Sequence, residues 1–338
     1  MMTEVALPGV GMTRFTSADD RPLVDLAATA CWRCLDDAGL DRADVTSLHA
    51  GTALAEALGQ QSGLANALAG ALRIEGVAAD RVENTSATGA TAVHRGIEAV
   101  ASGASEVALV VGADRMSAAD TSAVTDAISR LTHSREYAQG LTLPSFAGLA
   151  AGAYLDRYDA PREALAAVAA KNHRNAVANE VAQFRREVSV DEALDSPVVA
   201  EPLRLYDCCP MSDGAAAIVV TRTDSVADTD HAVRVAAHAS ATGTHPVAER
   251  PDPLAIDSVR VAGERLFDAA GVAPGDVRSP NSLALADFDG VGLIAQVDGE
   301  AAVGDRVAFA GAFRLRNGDE ERQPRLRVVE HGENEDER

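Results

Sequence analysis

A chain of 338 residues with 47% hydrophobic and 24% charged residues is an ordinary globular protein, long enough for two core-forming units. This composition excludes a disordered chain, a collagen and a disulfide scaffold. The 51 acidic residues outnumber the 30 basic ones, and the net charge of −21 disfavours binding to nucleic acid or to an anionic membrane.

Lysine is almost absent, because Lys171 is the one lysine and 29 of the 30 basic residues are arginine. No glycine-rich loop precedes Lys171, which excludes a P-loop nucleotide hydrolase. An acidic, lysine-poor chain is typical of proteins that stay soluble in concentrated salt, where screening weakens the repulsion between carboxylates. We therefore expect a halophilic protein.

The chain carries no targeting signal that we recognise. The start, MMTEVALPGVGMTRF, lacks the regions of a signal peptide, and no apolar run approaches the ~20 residues of a membrane span. The cysteines form two close pairs, Cys31 with Cys34 and Cys208 with Cys209, and no disulfide framework or zinc motif. We expect a reduced cytoplasmic protein with no membrane association and no metal site, in which Cys31 and Cys34 are core residues.

Short β-rich runs alternate with helical stretches over residues 1–118, which predicts βαβ units and a mostly parallel sheet. Strands are predicted at 5–10, 49–53, 81–84 and 106–111, and helices at 23–38, 62–72 and 88–102. Residues 119–211 are less regular and include an amphipathic helix over 161–178. The alternation returns with strands at 214–220 and 233–238 and a helix at about 255–270.

The character of the sequence changes after Pro280. Short strands are predicted at 291–297, 306–309 and 326–329, separated by turn sequences such as Asp298-Gly299. This spacing predicts an antiparallel meander, followed by an acidic tail at 332–338.

The most informative motif is RVENTSATGATAVHRG at 81–96. A strand ends at Asn84 and a helix begins just beyond Ser86, so Ser86 lies where helix N–H groups favour developing negative charge. Small residues at 87–90 allow another backbone to approach closely. A simpler interpretation is that Thr85 or Ser86 is an N-cap, worth about 1 kcal/mol.

Residues 82–89, VENTSATG, resemble the V-E-x-x-C-A-S-G motif of thiolases, with Ser86 at the nucleophilic cysteine and Thr88 at the following serine. Residues 171–185 and 202–217 match two further thiolase stretches in the same order. The resemblance is greatest to the archaeal and sterol-carrier-protein types, and it covers residues 1–277.

The resemblance implies an α/β fold with a thiolase-like layered core. Its parts would be an N-terminal half at 1–118, a loop domain at 119–211 and an incomplete C-terminal half at 212–277. A small β-rich segment at 281–331 resembles part of the OB-fold found in partner proteins of archaeal thiolases. Either a gene fusion joined it to the core, or it is an unrelated extension that closes the sheet.

The resemblance also implies acyl transfer on coenzyme A thioesters, without a permanently bound cofactor, in a homodimer that an OB-fold partner subunit could complete. Ser86 would accept the acyl group, and Cys209 and Ser212 would lie near the pantetheine, unless Cys209 is only structural. A serine hydroxyl does not ionise near neutral pH and needs a general base.

The family's histidine motifs, H-D-A-F or N-E-A-F and G-H-P, are absent, as is its C-x-G motif. His94 lies eight residues beyond Ser86, about 12 Å along the helix. His49 belongs to a strand end, His173 to the loop-domain motif, and His245 only superficially matches G-H-P. The protein is therefore either an acyltransferase whose base comes from an unidentified group or a partner, or a non-catalytic acyl-CoA-binding or assembly subunit.

Overall fold

The computed structural model describes residues 4–226 and 232–274 with their side chains and, beyond them, the backbone of four short strands. The first half alternates as the sequence predicts, in the order β1 (Val5–Met12), α1 (Leu23–Ala38), β2 (Ser47–Gly51), α2 (Leu64–Leu72), β3 (Ala78–Val82), α3 (Thr88–Ala101) and β4 (Val107–Arg115). The predicted bounds of α1 are confirmed, whereas β4 runs four residues further than predicted and β3 lies earlier.

Residues 119–211 are mostly helical, as predicted. They hold α4 (Thr121–Ser129), α5 (Ser134–Ala138), α6 (Leu143–Tyr158), α7 (Arg162–Ala176), α8 (Val190–Asp195), β5 (Val198–Ala200) and β6 (Leu203–Arg204). The chain then returns to the sheet with β7 (Asp213–Arg222), β8 (Val233–Ser240) and α9 (Asp257–Ala270).

The C-terminal strands are β9 (Leu283–Phe288), β10 (Val291–Gln296), β11 (Val307–Ala308) and β12 (Arg327–Val328). The sequence did not predict β9. The β9–β10 pair adds to the main sheet, because β10 pairs antiparallel with β8. The rest of the predicted OB-like segment and the acidic tail lie outside the described residues.

The main sheet has the strand order β3-β2-β4-β7-β1-β8-β10-β9. β2, β3 and β4 are parallel, and β7 runs antiparallel to both β4 and β1. Strands β1 to β4 therefore end at the same edge of the sheet, here called the carboxyl edge. β7 begins there, since Asp213 pairs with Arg115 at the end of β4.

The core lies on both faces of this mixed α/β sheet. α1 packs on one face through Leu26, Cys31 and Cys34, all fully buried, which confirms the core assignment of the two cysteines. Gly11 allows the close approach, because a Cβ there would lie 2.3 Å from the Ala30 carbonyl oxygen. α3 packs against the opposite face through residues such as Val100.

Candidate active site

The connection between β3 and α3 places Ser86 at the carboxyl edge. β3 ends at Val82, and α3 begins at Thr88. Thr85 adopts a left-handed conformation with φ of 47°, which turns the chain sharply, and Ser86 is exposed. Ser86 thus lies just before the first turn of a 14-residue helix, where the partial positive charge of the helix terminus is strongest.

The hydrogen bonds that fix this connection are made by its other residues and do not involve the Ser86 side chain. The Thr88 hydroxyl accepts from the Asn84 backbone N–H at 2.8 Å and donates to the Thr85 carbonyl at 2.6 Å, and the Thr85 N–H donates to Glu83 at 2.6 Å. The N-cap position is Ala87, with no side-chain cap. The N-cap interpretation of Thr85 or Ser86 is therefore wrong.

Small residues hold the first turn of α3 close to the strand ends. A Cβ at Gly51, the last residue of β2, would lie 3.1 Å from the Thr88 methyl group. A Cβ at Gly112 of β4 would lie 3.8 Å from the Gly89 Cα. The N-terminus of α3 therefore packs directly against the ends of β2 and β4.

The carboxylates of half-buried Asp114 and buried Asp213, which the sequence did not single out, hold the neighbouring loops. Asp114 accepts from the Thr52 hydroxyl at 2.8 Å and the Leu54 N–H at 3.0 Å, and burial raises the pKa of Asp114. Asp213, 1% exposed, accepts from the backbone N–H groups of Asp19 and Ser117, both at 2.8 Å, and from the Ser117 hydroxyl. The only sequence signal was their position at a strand end.

Cys209 and Ser212 lie at the same edge as Ser86, because they directly precede β7. Cys209 is exposed and Cys208 half-buried, both as free thiols. The Ser212 hydroxyl donates to the Gln183 side chain at 2.7 Å, which joins this segment to the 171–186 stretch of the loop region.

The 171–186 stretch is locally basic in a strongly acidic protein. Lys171, Arg174, Arg185 and Arg186 are all exposed. Among the described residues, only Arg186 of these four forms an ion pair, with Glu192. Within residues 4–226 and 232–274, Lys171, Arg174 and Arg185 have no carboxylate partner, and Arg185 donates to the Val177 carbonyl at 3.2 Å.

The histidines weighed as bases for Ser86 make contacts elsewhere in the described structure. His49 is buried 3.6 Å from the Asp80 carboxylate, and burial lowers the pKa of His49. His94 contacts the ring of His238, His173 faces the Arg186 carbonyl, and His245 faces the Leu131 carbonyl. Within residues 4–226 and 232–274 no histidine is hydrogen-bonded to the Ser86 hydroxyl.

A cavity of about 770 Å³ lies between α5–α6 and the segment 246–253. Its wall is mostly apolar, with Phe146, Leu149 and Val247 among the lining residues. An ion pair between Arg135 and Glu249 joins its two sides. The cavity suits an apolar group that enters from solvent.

The described residues contain no group of three or more His, Cys, Asp or Glu side chains arranged to hold a metal ion. No helix among them is both long and apolar enough to cross a membrane.

Comparison with known proteins identifies the family of this chain. Residues 5–224 match the family model described as thiolase, N-terminal domain. The acetyl-CoA acetyltransferase of Methanothermobacter thermautotrophicus is 35% identical over 278 residues, covering 82% of this chain and 72% of that protein. Sterol carrier protein 2 of Gallus gallus is 27% identical over 293 residues, covering 82% of this chain and 53% of that protein.

Solved structures with a similar fold also superpose on this chain. The Ltp2–ChsH2(DUF35) aldolase superposes with a TM-score of 0.68 at 26% identity, over 82% of this chain and 72% of that one. Human mitochondrial 3-ketoacyl-CoA thiolase in complex with CoA superposes with a TM-score of 0.63 at 16% identity, over 82% of this chain and 78% of that one. The second likeness supports the fold alone.

Proposed function

Because the chain belongs to the thiolase family, we propose that it is a thiolase-type acyltransferase that acts on coenzyme A thioesters, with Ser86 as the acyl-accepting nucleophile. The observation that carries this proposal is the exposed Ser86 side chain at the N-terminus of α3. We assign it the role of the family's cysteine because the motif VENTSATG resembles the thiolase motif. Relatives 35% and 32% identical to this chain are acetyl-CoA acetyltransferases.

The chemistry follows from the position of Ser86. Its Oγ attacks the thioester carbonyl carbon, and the helix terminus stabilises the oxyanion that forms. The C–S bond then breaks, coenzyme A leaves as the thiol, and the acyl group remains as a serine ester. The hydroxyl proton must pass to a base and from there to the departing sulfur, and we assign that base to a partner subunit or to a group outside the described residues.

Coenzyme A would bind along the carboxyl edge as a substrate, with no permanently bound cofactor. Cys209 and Ser212 would contact the pantetheine, and Lys171, Arg174 and Arg185 offer positive charge to its phosphates. The cavity beside α6 would take part of the acyl group.

The assembly is also part of the proposal. β3 is the edge strand of the main sheet, so its free backbone groups can pair with β3 of a second copy to form a homodimer. The name of one similar structure, Ltp2–ChsH2(DUF35) aldolase, joins two components, which supports a partner subunit, and we propose an OB-fold for it. The domain boundaries, the gene fusion, the cytoplasmic location and the halophilic origin stay predictions.

A second function is favoured by the lack of any histidine bonded to Ser86 in the described part of the chain. The protein would then bind acyl-CoA, or assemble with an active subunit, without turning over substrate.

Mass spectrometry after incubation with acetyl-CoA separates the two functions. Acetylation of the peptide that contains Ser86, absent in Ser86→Ala, supports the acyltransferase. Ser102→Ala removes a hydroxyl at the other end of the same helix and should acetylate like wild type. Unmodified protein that still binds coenzyme A in calorimetry supports the binding function.

A further inference from the structure

One side of α6 presents an apolar surface to the cavity. Four apolar residues of the helix line it: Phe146, Leu149, Ala150 and Ala153. They recur at intervals of three and four residues, so they lie on the same face of the helix. Leu149 is 68% exposed, although it is a large apolar residue well inside the helix. This face extends about 10 Å along the helix axis, at 1.5 Å per residue, and offers a continuous apolar surface to a ligand.

The opposite side of α6 fixes the position of the helix. Gly148 is buried there, and a Cβ at this residue would lie 2.9 Å from the carbonyl oxygens of both Ala200 and Glu201. The helix backbone therefore rests directly on the connection between β5 and β6. Because α6 is held by this contact, the cavity beside it is a preformed space.

The facing wall of the cavity is segment 246–253, which hydrogen bonds and an ion pair hold in place. The Glu136 carboxylate accepts from the Ala248 N–H at 3.1 Å, and Arg135 pairs with Glu249. A phosphate or a fatty acid carboxylate in the cavity would meet these two carboxylates, while the guanidinium of Arg135 is already paired. Since burial of an unpaired charge is unfavourable, the wall favours an uncharged occupant.

The volume of the cavity sets the size of that occupant. A cavity of about 150 Å³ accommodates benzene with its six carbons, which gives ~25 Å³ per carbon. The cavity beside α6 has about 770 Å³, so it accommodates about 15 carbons even when half of its volume is left to solvent. An acetyl group, at roughly 50 Å³, would fill less than a tenth of it.

We propose, building on the acyltransferase function above, that the cavity binds the hydrocarbon part of a long or multi-ring acyl group of roughly ten to fifteen carbons, so that the substrate is a bulky acyl-CoA. Ala150 and Ala153 determine this specificity, because larger side chains there would fill the space. The loop region that carries α6 leaves the sheet after Arg115 and rejoins it at Asp213, and both lie at the carboxyl edge with Ser86.

Calorimetry on the full chain at high salt compares the Kd of decanoyl-CoA with that of acetyl-CoA. Each buried methylene group tightens binding by about fourfold, and decanoyl-CoA has eight more of them. We expect decanoyl-CoA to bind at least about a hundredfold more tightly than acetyl-CoA. Equal Kd values for the two thioesters would overturn the proposal.

Variants on α6 test whether the cavity is the cause of this preference. Ala153→Trp fills the cavity and should reduce the ratio of the two Kd values to less than about tenfold. Tyr154→Trp adds a similar ring at the next residue, which is exposed and does not line the cavity, and should keep the wild-type ratio. If Ala153→Trp folds poorly, Leu149→Glu places a charge at an exposed position of the wall and should lower the ratio as well. A wild-type ratio in the variants of the wall would overturn the proposal.

The same reagents separate this proposal from the function on which it rests. Acylation of Ser86 by acetyl-CoA without any preference for decanoyl-CoA would support the acyltransferase and exclude the bulky substrate. If no thioester acylates Ser86, binding of S-decanoyl-N-acetylcysteamine, a thioester without the nucleotide, still tests the cavity. Binding that Ala153→Trp weakens at least about tenfold would support the cavity as a site for bulky acyl groups, and binding that it leaves unchanged would exclude it.

Discussion

The hydroxyl of Thr88 accepts the backbone N–H of Asn84 at 2.8 Å and thereby ties the first turn of α3 back to the end of β3. The same hydroxyl donates to the Thr85 carbonyl, which holds the left-handed turn immediately before Ser86. The side chain of Thr88, two residues after Ser86, therefore holds the turn that positions this candidate nucleophile.

This relationship predicts the effect of removing the hydroxyl. Thr88→Val keeps the branched shape but removes the hydroxyl that accepts the Asn84 N–H. The free energy of unfolding should therefore fall by about 1–3 kcal/mol. Acetylation of Ser86 should slow by roughly tenfold or more because its turn is no longer held. Urea unfolding and acetylation rates measure the two effects. Thr88→Ser keeps the hydroxyl and serves as the control, and a Val variant that acetylates at the wild-type rate would contradict the role.

Replacing Asp213 should lower the free energy of unfolding far more than replacing an exposed aspartate nearby. Its buried carboxylate receives three donors from Asp19 and Ser117, and Asp213→Asn replaces one acceptor oxygen with a donor group. We expect a loss of about 3 kcal/mol in the free energy of unfolding, measured by urea titration. Asp20→Asn, at an exposed position, should change it by less than about 0.5 kcal/mol.

His49 predicts a pH dependence of stability. Burial lowers its pKa in the folded state below the ordinary value of 6.5, so the folded protein binds this proton less well than the unfolded chain. The free energy of unfolding is therefore unaffected by His49 above pH 6.5. It decreases as the pH falls through 6.5 toward the lowered pKa, by up to about 1.4 kcal/mol per pH unit. His49→Gln should show a shallower slope between pH 7 and 5.5 in urea titrations, and an unchanged slope would exclude His49 as its source.

The net charge predicts that salt stabilises the fold. At −21, unscreened carboxylates repel one another, and raising the ionic strength from low to molar salt shortens the Debye length from tens of Å to about 3 Å. A gain of 1–2 kcal/mol would raise Tm by roughly 2–8 °C. Calorimetry in sodium chloride measures this, and a flat Tm would remove the argument for a halophilic protein.

The local pattern of the sequence was enough to predict α1 and the strand–turn–helix around Ser86. Hydrophobic periodicity fixes a helix face, and small residues mark where a helix can approach a sheet. The roles of Asp114 and Asp213 could not be predicted this way. Their partners lie 60 to 194 residues away, and the strand order that brings them together is not encoded in any local pattern.

A cysteine at position 86 should not by itself produce turnover. In the described part of the chain no histidine contacts the Ser86 hydroxyl, and the sequence lacks the family's histidine motifs. A thiol at the helix terminus ionises more readily than a hydroxyl, so Ser86→Cys should acylate faster than wild type. The proposed condensation half-reaction would still need a proton acceptor and an oxyanion donor, whose loss costs ~10²–10⁴-fold and ~10²–10³-fold.

Steady-state thiolysis of acetoacetyl-CoA at high salt measures this for wild type, Ser86→Cys and Ser86→Ala, each with and without a co-purifying partner. We expect little turnover by any isolated chain, and turnover that depends on residue 86 only when the partner supplies the base. Strong activity of the isolated wild type that disappears in Ser86→Ala would show that this chain contains its own base, and the binding-only function would then be excluded.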